Sequence, residues 1–185
     1  MAPCPDPHRI NRPAWDHLSR AAGPLELAVI NPVGIFGPPL VTDLASSVML
    51  ARRLITTTSP LPRLATTVVD VRDVADLHIR AMLAPAAAGQ RFLASAGEPV
   101  TFQELAHILR KAVGDDAEAP VLDDEIVRRL AKTDPGMANN ATELGKFRRV
   151  SSGKARRVLG WRPRSTRETL EATALALRDL GLLAA

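Results

Sequence analysis

The chain has 185 residues, 46% of them hydrophobic and 24% charged, with a formal net charge of +4 at pH 7. These values suit one globular domain, or a domain and part of another, and they exclude disorder of the whole chain. The single cysteine, Cys4, excludes an internal disulfide and a cysteine-based zinc site. Apolar runs are too short to cross a bilayer and the N-terminus lacks a secretion-signal layout, so we expect a cytoplasmic protein without a membrane partner.

The N-terminal third predicts a helix that leads into a strand and a stiff loop. Four prolines within residues 1–13 predict an irregular lead-in. Apolar spacing predicts a helix over 14–22, which Gly23 and Pro24 end. The branched run that follows predicts a strand over 25–31, and a loop rich in proline and glycine comes directly after it. Loops in that position bind ligands in open α/β sheets.

The rest of the chain alternates between helices and short strands. We predict strands over 65–69 and 90–95, and a loop over 133–148. Capping boxes at Thr101–Glu104 and Ser165–Glu168 open two of the predicted helices. The predicted helices cover 42–55, a segment beginning near Asp73 and capped by Asp70 or Asp73, 101–113, 121–130, 152–159 with Ser152 as cap, and 165–180.

Basic side chains are concentrated near the C-terminus. Residues 146–167 contain nine basic side chains and no acidic one. Such a segment is typical of a solvated helix face, and it also suits binding of nucleic acid or of phosphate-bearing ligands. In a nucleic-acid-binding module, Phe147 and Trp161 would be the stacking groups.

Four motifs occur in an order that is more specific than any one of them. They are N-P-x-x-x-x-G-P at 31–38, V-D-V-R-D-V-A-D-x-H at 69–78, G-Q-R-F at 89–92 and S-x-x-K-A-R-R-x-L-G-W-x-P at 151–163. From about Ala14 to Leu182 the chain resembles the C-terminal half of extended short-chain dehydrogenases/reductases, in particular dihydroflavonol-4-reductase-like members of the NAD-dependent epimerase/dehydratase group. The resemblance implies an α/β fold: the C-terminal part of a Rossmann-type parallel sheet, with strands near 25–31 and 90–95, plus a mostly helical substrate-domain portion over 101–182.

The resemblance also implies an NAD(P)-dependent oxidoreductase that acts on a small carbonyl or sugar substrate. The matching residues Asn31, Pro32, Val33 and Gly34 would lie beside the nicotinamide of NADP or NAD, and Ser47 would lie near the cofactor. On the residues alone, these positions are equally well interpreted as a proline-stiffened turn and a helix-surface serine. Arg72 and Asp73 match a position that serves as a fixed ion pair or cap.

Two parts of the family's machinery are missing from the sequence. It contains no glycine-rich G-x-G-x-x-G or G-x-x-G-x-x-G run, and it has no tyrosine, so the Tyr-x-x-x-Lys pair that handles the proton is absent. The histidines His8, His17, His78 and His107 lie at positions that do not favour a replacement role. We therefore assign no catalytic and no metal-binding residue, and we expect residues 14–185 to form a truncated unit that is inactive alone.

Several explanations of this truncation stay open. One is that a second chain complements the missing Rossmann half, and another is that a misassigned start or a frameshift has removed it. Alternatively, the chain is a regulatory or partner subunit that pairs with a full-length relative through an exposed sheet edge. A nucleic-acid-binding module using residues 146–167 is the fourth alternative. The substrate and the choice between NAD and NADP are not readable from the sequence.

Overall fold

The computed structural model describes residues 12–20 and 23–183. The helices are α1 (Arg12–Arg20), α2 (Ser46–Thr56), α3 (Val71–Leu83), α4 (Phe102–Ala112), α5 (Asp124–Leu130), α6 (Pro135–Glu143), α7 (Gly153–Leu159) and α8 (Thr166–Asp179), with a single 3-10 turn at Pro85–Ala87. The strands are β1 (Val29–Pro32), β2 (Gly34–Phe36), β3 (Leu61–Pro62), β4 (Ala65–Thr66), β5 (Val68–Asp70), β6 (Arg91–Ala94), β7 (Val100–Thr101) and β8 (Val121–Leu122).

Two parallel strand pairs form the centre of the fold. β1 pairs with β6, from Val29 opposite Arg91 to Pro32 opposite Ala94, and β2 pairs with β5. The chain passes from one pair to the other at Val33, whose backbone N–H donates to the Ala94 carbonyl at 3.1 Å. The predicted α/β class and the two parallel strands are confirmed, although the first strand begins at Val29 rather than at residue 25.

Helices cover this sheet on both faces. In β5, Val68 packs into a cluster formed largely by α2, α4 and α8, while its neighbour Val69 packs into a second cluster formed largely by α3, α7 and β6. Successive side chains of a strand point to opposite faces, so one short strand joins two cores. Val68 and Val69 have no exposed surface. Strands buried on both faces are typical of parallel α/β sheets, which explains why this segment reads as a continuous apolar run.

Two buried aspartates hold the first turn of α3. The Asp70 carboxylate accepts hydrogen bonds from the Arg72 backbone N–H at 2.9 Å and from its guanidinium at 2.8 and 2.6 Å. Asp73 accepts from the Arg164 backbone N–H at 2.7 Å and from its guanidinium, and the Asp73 carbonyl accepts from the Trp161 indole at 2.9 Å. Arg72 and Asp73, predicted as an ion pair or cap, therefore have different partners, and Asp70 is the cap of α3.

The ion pair between Asp70 and Arg72 makes the free energy of unfolding depend on pH. Burial of the Asp70 carboxylate opposes its ionisation, but the hydrogen bonds from Arg72 outweigh burial and lower the pKa of Asp70 below its ordinary value. An unfolded chain titrates at the ordinary pKa. The pair therefore stabilises the folded state above that value, and the stabilisation is lost as the pH falls through the lowered pKa.

Asp70→Asn tests this dependence on acid. Asparagine keeps the helix cap but removes the charge, so we expect a loss of about 1–3 kcal/mol of unfolding free energy near neutral pH. We also expect the variant's unfolding free energy to fall less steeply than that of the original chain between about pH 5 and pH 2. Urea denaturation across that range measures both effects. Parallel pH profiles for the two proteins would contradict the assignment.

Asp73→Asn tests the tie between α3 and the segment before α8. Asparagine leaves the Arg164 guanidinium without its carboxylate, and we expect a loss of about 2 kcal/mol because the Asp73 side chain is buried while Arg164 is partly solvated. The matched control is Glu171→Gln, which removes the exposed pair with Arg167 and should cost less than about 0.5 kcal/mol. Equal losses of unfolding free energy in the two variants would show that the buried pair stabilises the fold no more than the exposed pair does.

A buried arginine fixes the C-terminal end of α2. The Arg110 side chain, on α4, donates from its guanidinium to the carbonyls of Leu54 at 3.0 Å, Thr57 at 2.5 Å and Ala117 at 3.0 Å. It is 3% exposed. Leu54 lies in the last turn of α2 and Thr57 is the C-cap that follows it; carbonyls at this end lack helical partners and favour a positive charge. One side chain thus joins α2, α4 and the loop after α4.

Several predicted boundaries are wrong, each for a local reason. Residues 12–13 of the predicted lead-in open α1, and the rest of 1–13 lies outside the described residues, as do residues 21–22 of the first predicted helix. The predicted helix over 42–55 begins only at Ser46, since no side chain caps an earlier start. The predicted strand over 65–69 divides at Thr67, because β4 pairs antiparallel with β7 while β5 pairs with β2.

The C-terminal region shows three further differences. The predicted helix over 121–130 starts as β8, paired with β3, and becomes helical only after Asp123 caps α5. The predicted loop over 133–148 contains α6, which Asp134 caps. Ser152 precedes α7 but does not cap it with its side chain, since its hydroxyl donates to the Ser95 carbonyl at 2.9 Å. Both predicted capping boxes are confirmed.

Among the described residues, no helix combines the length and the apolar content that a bilayer span requires.

Candidate functional site

A cavity of about 710 Å³ lies past the carboxyl ends of β1 and β2. Its lining residues come from 32–33, 35–41, 43 and 45–48, together with Val71. The cavity is therefore bounded by the proline-glycine loop on one side and by the first turn of α2 on the other. This is the position where open α/β sheets hold ligands, and the volume suits a small-molecule site. We call it the main groove.

The structure brings together three of the five residues that the resemblance assigned to the cofactor. Pro32, Val33 and Ser47 line the main groove. Asn31 lies one residue earlier in β1, opposite Leu93, and does not line it. Gly34 also does not line it, because it opens β2 behind Val33. The cofactor assignments of all five residues stay predictions, and the geometry favours the three that meet at the groove.

Gly34 and Gly37 are required by packing. A Cβ atom on Gly34 would lie 3.0 Å from the Thr67 carbonyl oxygen, which only a shift of the strand could relieve. Gly37 has a φ of 127°, and a Cβ there would lie 2.9 Å from Val71 Cγ1. The Gly37 N–H also donates to the Thr173 hydroxyl at 2.8 Å, which ties the loop to α8. Gly37 thus shapes the groove wall without needing to touch a ligand.

Gly37→Ala should destabilise the chain. We expect a loss of about 2 kcal/mol or more, because alanine is strained at this φ and its methyl group would press on Val71. Gly97→Ala is the matched control: no atom lies within 4 Å of its Cβ position and its φ is not positive. That variant should keep or slightly raise the unfolding free energy, by up to about 1 kcal/mol. Thermal and urea denaturation of both variants checks the difference, and a harmless Gly37→Ala would contradict the packing argument.

Curated relatives of the chain are reductases. The NADPH-dependent methylglyoxal reductase of Saccharomyces cerevisiae is 30% identical over 170 residues, covering 87% of this chain and 46% of the relative. Cinnamoyl-CoA reductase 2 of Arabidopsis thaliana is 39% identical over 82 residues, covering 44% of this chain and 24% of the relative. The chain spans about half the length, or less, of the curated relatives it matches. No family model matches it.

The solved structures that resemble this chain also include a reductase. The yeast methylglyoxal/isovaleraldehyde reductase in complex with NADPH matches with a TM-score of 0.70 and 27% identity, over 93% of this chain and 49% of that one. The chain belongs to the extended short-chain dehydrogenases/reductases. The UDP-glucose 4-epimerase of Thermotoga maritima, at 20% identity and a TM-score of 0.67, shares the fold. The resemblance to the C-terminal part of this family is confirmed.

The walls of the main groove are largely apolar, with Val33, Phe36 and prolines among the residues that line it. Apolar walls of this kind exclude water from a bound ligand. Helix α2 begins at the groove with Ser46 and Ser47, and its N-cap Ala45 offers no side-chain acceptor. The first N–H groups of α2 therefore face the groove side with partial positive charge.

Groups that move protons are scarce at this groove. Of the described residues that line it, Asp43 alone has an ionisable side chain. His17, His78 and His107 are exposed on their helices, and His8 lies outside the described residues. The His78 ring turns back along α3, with Nδ1 2.8 Å from the Val74 carbonyl oxygen. Among residues 12–20 and 23–183, no three metal-ligating side chains cluster.

More than half of the basic side chains in the segment 146–167 form ion pairs within the described residues. Trp161, predicted as a stacking group for nucleic acid, is completely buried and donates to Asp73, so it cannot reach a base. Phe147 is 59% exposed. The ion pairs of the segment join Lys146 and Arg148 to Glu143, Arg149 to Glu98, Arg164 to Asp73 and Arg167 to Glu171. These contacts favour a structural use of the positive charge.

Sequence reasoning missed two elements of the site. It did not predict that the first turn of α2 would form the second wall of the groove, because the helix start has no capping signal. It also missed α6, which positions Glu143 and the basic side chains near it. An N-cap aspartate followed by proline, Asp134-Pro135, is a readable start signal for that helix.

Proposed function

We propose that this chain supplies the nicotinamide-side wall of an NAD(P)-dependent carbonyl reductase. The observation that carries the proposal is the main groove: residues of the N-P-x-x-x-x-G-P motif form its wall at the carboxyl ends of the sheet strands. The similarity of the chain to an NADPH-dependent reductase supports the same role. Pro32 and Val33 would contact the nicotinamide end, and Ser47 with the first turn of α2 would contact a polar part of the cofactor. When bound, the cofactor supplies a hydride to the carbonyl carbon.

The residues of this chain would bind and orient the cofactor rather than transfer the proton. Val33, Phe36 and the prolines exclude water from one side of the groove. The proton for the carbonyl oxygen needs a donor, and the sequence has no tyrosine. We therefore propose that the chain is inactive alone and that a polypeptide carrying the glycine-rich unit and the Tyr-x-x-x-Lys pair complements it. β1 pairs with β6 alone among the described strands, and a short strand at the edge of a sheet supports such a neighbour. The cytoplasmic location of this chain stays a prediction.

Reconstitution tests the proposal. The chain alone should show neither stoichiometric NADPH binding in calorimetry nor carbonyl-dependent NADPH oxidation. Addition of a separately expressed polypeptide with the missing motifs, such as the N-terminal half of the yeast methylglyoxal reductase, should produce both. Ser47→Phe, which fills the groove, should weaken NADPH binding by the mixture at least about tenfold, a cost of about 1.4 kcal/mol.

Controls separate the groove from general damage. Ser59→Phe makes the same change at an exposed turn and should leave binding unchanged. Turnover of an aldehyde or ketone by the chain alone would refute its inactivity. Equal NADPH affinity of the mixture with and without Ser47→Phe would refute the assignment of the groove.

A further inference from the structure

A second, smaller cavity lies on the other side of Val33. It has a volume of about 210 Å³, and its lining includes Val33, Thr66, Thr67, Glu143, Lys146 and Arg148. Val33 also lines the main groove. One residue at the crossing from β1 to β2 therefore separates the two spaces. A molecule that reaches past Val33 would have one end at the groove and the other in the second cavity.

The second cavity has an excess of positive charge. Arg148 holds the Glu143 carboxylate with both guanidinium nitrogens, at 2.8 and 3.0 Å. The Lys146 ammonium is farther away, at 3.5 Å from the same carboxylate. Two cations thus share one anion, which leaves one positive charge at the cavity. Lys146 is about half exposed, so its ammonium can turn towards an incoming anion without breaking a tight pair.

Two hydroxyl groups add donors to the same wall. Thr66 Oγ1 and Thr67 Oγ1 donate to the carbonyls of Thr67 and Arg148, each at a long distance of 3.4 Å. Hydrogen bonds of that length are weak, and a hydroxyl proton rotates to meet a better acceptor. The absence of a side chain on Gly34 permits this arrangement, because a Cβ there would lie 3.0 Å from the Thr67 carbonyl oxygen that accepts from Thr66. Ammonium and hydroxyl donors at one small cavity are suited to a carboxylate.

We propose that the second cavity binds the carboxylate end of an oxo acid whose carbonyl group lies at Val33. The proposal deepens the proposed function, since it takes the carbonyl reductase role from there and assigns the substrate class. One excess positive charge matches one carboxylate, whereas a phosphate dianion would stay uncompensated. The volume also suits a short chain of a few heavy atoms rather than a nucleotide.

A cofactor-free binding experiment tests this site separately from NADPH binding. Levulinate and its neutral methyl ester are titrated into the full chain, and the amide NMR signals of Thr66, Thr67 and Lys146 are followed. Levulinate should bind at least roughly tenfold more tightly than the ester and shift the Val33 methyl signals. Lys146→Gln should weaken levulinate binding roughly five- to tenfold without changing the weak response to the ester.

Two further variants test whether charge at the second cavity controls levulinate binding. Glu143→Gln removes the competing anion and should tighten levulinate binding. Arg149→Gln is the matched control, since Arg149 pairs with Glu98 and does not line the cavity; it should have no effect. Equal binding of acid and ester, no effect of Lys146→Gln, or tighter binding of inorganic phosphate than of levulinate would overturn the proposal. A failure of NADPH to bind would not affect these measurements.

Discussion

The anchoring of α3 by two buried aspartates, Asp70 and Asp73, is the constraint on which the rest of the fold depends. Asp70 ends β5 and caps the helix, while Asp73 receives Arg164 and the Trp161 indole from the segment before α8. Strand, helix and C-terminal segment therefore meet at one turn. Because the two carboxylates are buried, removal of an arginine partner would leave an uncompensated buried charge, so we expect these pairs to tolerate substitution less well than the exposed pairs elsewhere.

This anchor also explains how the groove is held. The loop after β2 packs against the start of α3, where Gly37 lies close to Val71, and the Gly37 N–H is tied to Thr173 on α8. The loop thus has fixed neighbours on two helices before any ligand arrives. A preorganised wall lowers the cost of binding, because little conformational freedom remains to be lost. The motif residues act mainly by shaping this wall.

Much of this arrangement is readable from the sequence, and the remainder depends on distant contacts. The capping boxes at Thr101 and Ser165 and the parallel strands have local signals, and the structure has them. The division of residues 65–70 into two strands has no such signal, because it is set by which neighbours Thr66 and Val68 meet. The carbonyl partners of Arg110 and the shared position of Val33 between two cavities are likewise unpredictable, since they join segments far apart in the chain.

Helix α2 connects the main groove to a buried arginine. Its N-terminal residues line the groove, and Arg110 holds its C-terminal end through hydrogen bonds to backbone carbonyls. The N-terminal end carries Ser47. Over the helix length of roughly 16 Å, a tilt of about 5° at the C-terminal end would displace the N-terminal end by roughly 1.4 Å. In enzymes, a misplacement of about 1 Å can lower a rate by about 10²-fold. The shape of the groove thereby depends on Arg110, a buried cation that does not line it.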